Sequence, residues 1–196
     1  MQEDIIKENE EQRPGRNKKT TINHTYIESG SYRRKFDGIS DNPELNRLLY
    51  QLAKKMLLHR SGTELEDMYW IKLDDIEIVA EETSSFIEKE IVYSEKTQKV
   101  ISRNSDLLTI HSHPYSFPPS ISDINSNFIN KYSMGIIICH DGRIYMYSAE
   151  EEISSDYYVL TVEEYLKQGY NEDEAQILTW KELETKFNIK VKEVTE

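Results

Sequence analysis

Apolar positions along the chain change period several times, and each change marks an element. In "DNPELNRLLYQLAKKMLLHRSG", Leu45, Leu48, Leu49, Leu52 and Met56 recur at three- and four-residue spacing. That spacing predicts an amphipathic helix, with Asp41 or Asn42 as its cap, Pro43 in its first turn and Gly62 as its stop. "DMYWIKLDDIEIVAEETS" reads as two strands around a short acidic turn, and "EIVYSE" as a further strand. "DLLTIHSH" is a β-leaning run that Pro114 ends, and "SISDINSNFINKYS" a short helix. "GIIICHDGRIYMYS" predicts a hairpin, with Asp141 and Gly142 as its turn. Two helices near 161–169 and 172–187 follow, and "IKVKEV" adds a possible edge strand. Helices segregated around runs of strands predict an α+β fold with a mixed β-sheet flanked by helices.

Composition refines this outline. Apolar residues make up 37% of the 196-residue chain and charged residues 31%, with a formal net charge of −12. So acidic a surface repels phosphate backbones, so nucleic acid is not an expected partner. The single cysteine, Cys139, excludes an internal disulfide and a cysteine-rich zinc site. No apolar run reaches membrane-spanning length, so no membrane partner is expected either. Residues 1–20 are read as a disordered charged arm carrying Arg16, Lys18 and Lys19, and residues 21–42 as an N-terminal segment. A domain at 43–160 and a helical extension at 161–196 complete the division.

The chemistry concentrates in "HSHPYSFPPSISD", residues 111–123. Alternate side chains of a strand share a face, so His111 and His113 project together at a strand end. Ser120 suits a helix cap, and Asp123 then stands in the first turn. Two imidazoles and a carboxylate form the protein ligand set of a catalytic zinc site. His59, at the end of the first long helix, suits its dipole. Cys139 and His140 are expected to be inert hairpin positions, and the basic-aromatic "SYRRKF" to serve packing or a partner contact.

His-x-His-Pro, a spacer and Ser-x-x-Asp resemble the signature of the JAB1/MPN/Mov34 (JAMM) metalloenzymes, whose bacterial and phage branch includes RadC-like proteins. The matched residues are His111, His113, Pro114, Ser120 and Asp123, and the spacer "YSFPP" is one residue shorter than the commonest form. The resemblance implies a cytidine-deaminase-like layered fold and a Zn2+-dependent peptidase or isopeptidase acting on a protein or peptide substrate. It implies that His111, His113 and Asp123 hold the metal, that Ser120 stabilises an oxyanion, and that an upstream glutamate is the general base. Glu66 is the first choice for that base and Glu64 the second. The alternative is a non-catalytic JAMM-like protein-binding module. The longer stretch from "YIESGSYRRKF" through "HRSGTELEDMYW" resembles the C-terminal region of phage and prophage minor head proteins of low-GC Gram-positive bacteria. That implies a cytoplasmic or virion-associated setting, with phage head proteins as candidate partners. A zinc nucleobase deaminase needs a Pro-Cys-x-x-Cys pattern that one cysteine cannot supply.

Overall fold

The computed structural model describes residues 18–195. Its helices are α1 (His24–Ile27), α2 (Gly30–Asp37), α3 (Pro43–His59), α4 (Glu95–Ile101), α5 (Ile121–Ile129), α6 (Ser155–Lys167) and α7 (Glu172–Lys186). Its strands are β1 (Met68–Lys72), β2 (Glu77–Glu82), β3 (Leu107–His113), β4 (Met134–Cys139), β5 (Ile144–Ala149) and β6 (Ile189–Glu193). The strands form one sheet in the order β2-β1-β3-β4-β5-β6. Only β3 and β4 pair in parallel, with α5 in the crossover between them, and the other neighbours are antiparallel. The fold is α+β, with a mixed sheet covered by helices on both faces.

Alternation along the strands sorts the core into two layers. Tyr69, Ile71, Leu108, Ile110, Ile136, Ile138 and Ile144 face α3, which presents Leu45, Leu49, Leu52, Ala53, Met56 and Leu57. Asn42 caps α3 by accepting from the Glu44 and Leu45 amides at 2.9 and 3.3 Å. On the other face, Ile137, Cys139, Tyr145 and Tyr147 meet Ile124 of α5 and Trp180 and Leu183 of α7. Met68, Trp70 and Leu107 form a smaller cluster there with Ile101 and Tyr132. His111 and His113 share that second face with Leu107.

Several expectations need correction. "EIVYSE" is not a strand: residues 90–94 are irregular, and Ser94 caps α4 by accepting from the Thr97 amide at 3.2 Å. Its β-branched and aromatic residues have another use, because Ile91 and Tyr93 pack onto the Trp70 cluster. The expected arm overlaps the described chain only at Lys18–Thr20, and the rest of it lies outside the described residues. That overlap is anchored. Thr20 is buried and donates to the Thr63 carbonyl at 3.0 Å, and the Lys19 amide donates to the Gly62 carbonyl at 2.9 Å. Residues 21–42 hold two short helices whose Ile27, Tyr32 and Phe36 belong to the main core, so "SYRRKF" packs through its aromatics. The boundary expected at 160 falls inside α6, and β6 lies beside β5, so the last residues join the same sheet.

Candidate metal centre

The site forms where β3 ends and the chain turns back into α5. His111 Nε2 and His113 Nε2 lie 3.1 Å apart. Asp123 Oδ1 is 3.3 Å from His111 Nε2, and its Oδ2 is 3.5 Å from His113 Nε2. Donors about 2.0–2.1 Å from a tetrahedral zinc are separated by about 3.3 Å, and these spacings, one to each Asp123 oxygen, are close to that value. Burial alone would hold the His113 imidazole down and push the Asp123 carboxyl up. Their mutual attraction reverses both trends. With Glu66 assisting, His113 rises to about 9, and the two imidazoles hold Asp123 well below the usual carboxylate range.

Local sequence explains the convergence. Ser120 is the N-cap of α5 and forms a reciprocal capping box with Asp123. The Ser120 amide and hydroxyl both donate to Asp123 Oδ2, each at 2.7 Å, which aims the carboxylate at the imidazoles. The His113 ring is further held by the Phe117 backbone. His111 Nδ1 is buried without a partner among the described residues, so the second imidazole has no such support.

Glu66 precedes β1 and is 6% exposed. It lines a cavity of about 730 Å3 together with His111, His113, Ser120 and Asp123. Burial raises its carboxyl pKa, and the two imidazoles moderate the rise. Glu64, two residues earlier, has a different environment. It accepts from the Tyr115 hydroxyl and pairs with Lys19 at 2.9 Å and Lys89 at 3.2 Å. The Tyr115 bond, then that to Lys19, brings its carboxyl down to about 2. Glu64 therefore ties three segments together, while Glu66 stands at the cavity.

The segment carrying Glu66 is clamped to the histidine strand. Ser112 lies between the two histidines on the opposite face. Its Oγ accepts from the Asp67 amide, and its own amide donates to the Asp67 carbonyl, both at 3.0 Å. The Asp67 carboxylate is fully buried and takes Arg60 Nε at 2.6 Å and His59 Nδ1 at 2.7 Å. His59 thus serves as a hydrogen-bond partner of Asp67 as well as a helix end. An Asp67→Ala variant should cost about 3–5 kcal/mol, because it strands a buried guanidinium. Urea unfolding measures this, and a loss under about 1 kcal/mol would remove Asp67 from the scaffold.

The remaining candidates lie around this centre. The His140 amide donates to the His113 carbonyl at 3.1 Å, and its Nδ1 meets Thr20 Oγ1 at 2.8 Å. Cys139 is buried, with Sγ 3.7 Å from the Phe117 carbonyl. Neither belongs to the donor cluster, which comprises His111, His113 and Asp123. The sequence reading missed the aromatic wall of Tyr93, Tyr132, Tyr147 and Tyr158. The only hint of it was Gly135, opposite Tyr147 across β4 and β5. A Cβ there would fall on the Tyr147 ring, whose centroid is 6.4 Å from that of His111. Gly135→Ala should therefore cost about 1–3 kcal/mol through overpacking and disturb the cavity wall. A thermal melt unchanged from wild type would contradict that contact.

No described helix is long and apolar enough to cross a membrane. Neither a scan against protein-family models nor searches of curated proteins and solved structures found a match to this chain.

Proposed function

We propose that this chain is a zinc-dependent hydrolase of the JAMM type that cleaves a peptide or isopeptide bond in a protein or peptide substrate. One observation carries the reading: a buried glutamate, Glu66, lines the same cavity as three convergent zinc-type donors, His111, His113 and Asp123. Zinc held by those donors would polarise the scissile carbonyl and make a water nucleophilic near neutral pH.

Glu66 would accept the proton of the attacking water and pass it to the departing amine. Glu66 suits such a base, because it is buried and that burial raises its carboxyl pKa toward the working range of a general base. Ser120 acts first on the ligand, since its hydroxyl and amide both orient Asp123. To stabilise an oxyanion, Ser120 Oγ would have to leave that carboxylate.

The test is cleavage of a panel of fluorogenic peptides and lysine-ε-linked isopeptides. The proposal expects turnover that a chelator removes and added zinc restores. Turnover indifferent to chelator would contradict it.

A further inference from the structure

Charge is unevenly placed on this chain. It carries 36 acidic and 24 basic side chains, and many cations stand beside a carboxylate. Lys19, Lys72, Lys89, Arg143 and Lys186 each have one within 4.0 Å. The groove between α2 and α3 is different. Arg33 and Asp37 of α2 line it opposite Arg47, Gln51 and Lys54 of α3, around about 680 Å3. On α3 those three residues follow one another at helical spacing, so they form one stripe. Arg33 and Arg47 are exposed, and neither reaches a carboxylate at ion-pair distance among the described residues. Lys54 has only a 3.7 Å contact with Glu28 and lies 5.7 Å above the Tyr50 ring. The groove thus sets three cations against two carboxylates, Asp37 in its lining and Glu28 beside Lys54, and keeps a net positive charge.

Its floor is fixed independently of those cations. Asn46 donates to the Asp37 and Ser40 carbonyls and accepts from the Ser40 amide. The Tyr50 hydroxyl donates to the Ile27 carbonyl at 3.3 Å. Tyr32 and Phe36 already anchor α2, so Arg33 and Arg47 contribute no contact that the fold needs. Three cations facing two carboxylates leave one positive charge unbalanced, and a ligand carboxylate offsets it.

We infer that this groove docks an acidic segment of another protein. Arg33 and Arg47 each grip an Asp or Glu carboxylate through the two-pronged guanidinium geometry, and Lys54 adds a point charge. A short peptide fits better than nucleic acid, because a chain of net charge −12 repels an extended polyanion beyond the groove. The groove lies on the α3 side of the sheet, away from the metal centre, so a partner held there leaves the cavity open. The inference does not depend on the hydrolase reading.

Fluorescence anisotropy tests it with three labelled probes: a Glu-Ala repeat peptide, a Lys-Ala peptide of equal length and a single-stranded oligodeoxynucleotide. The Glu-Ala peptide should bind in about 50 mM salt and weaken strongly by about 300 mM, as screened charge pairs do. Combining Arg33→Ala with Arg47→Ala should weaken it by about tenfold or more, the loss of two charge-assisted contacts, with the melting temperature unchanged. Reversing both charges to Glu should abolish binding, and the alanine pair decides if that variant fails to fold. Lys99→Glu, on α4, should leave binding unchanged. The inference is overturned by no binding of the Glu-Ala peptide, by equal binding to the alanine pair, or by equal loss in Lys99→Glu. Tighter binding of the oligonucleotide through the same arginines overturns it too.

Discussion

Zinc added to chelator-treated protein should raise its stability by about 2.7 kcal/mol when free zinc exceeds the dissociation constant about 100-fold. For a chain of this size that corresponds to a rise of roughly 5–10 °C in melting temperature. The gain arises because the three donors converge only in the folded chain, where β3 and the first turn of α5 bring them within 3.5 Å. His113→Ala and Asp123→Ala should each lose most of it. Asp123 also completes a capping box, so its removal carries a metal-independent cost of about 0.5–1 kcal/mol. Melts with and without zinc separate the two contributions. If Asp123→Ala gains as much from zinc as the wild type does, Asp123 is a cap and not a ligand.

The second large effect belongs to Glu66. Glu66→Gln keeps the side-chain volume and removes the proton acceptor. It should cut turnover by roughly 10²–10⁴-fold, the usual contribution of a general base, while zinc content stays at the wild-type level. Glu64→Gln should behave in the opposite way. It loosens the contacts to Lys19, Lys89 and Tyr115, so a modest loss of stability is expected with turnover within about twofold. Kinetics of both variants on one cleaved substrate decide the matter. A Glu66→Gln enzyme as fast as wild type would return the base to another residue.

The legible parts of this fold were those whose pattern is local. The Leu45–Met56 stripe, the β1–β2 hairpin and the Asp141-Gly142 turn each carry their period or turn chemistry within a few residues. His111, His113, Ser120 and Asp123 were legible for the same reason, since strand alternation and a helix cap bring them together over thirteen residues. Segment 90–95 misled because Ile91 and Tyr93 are β-formers that pack from an irregular loop, where burial outweighs propensity. What could not be read was long-range. Asp67 was one acid among many in an acidic chain, and its place under Ser112 depends on the pairing of β1 with β3. Lys19 counted as part of a charged arm because nothing nearby in sequence signals Glu64 or Glu88. Tyr147 reaches the cavity only because Gly135, opposite it on β4, leaves room for its ring.

The central claim is that His111, His113 and Asp123 hold one zinc ion. The most direct measurement is elemental analysis of wild-type protein and His113→Ala, both purified without chelator. The account predicts about one zinc per wild-type chain, on the stoichiometry of a three-ligand site, and little or none in the variant. Equal metal content in the two proteins, or none in either after zinc is supplied, would contradict it.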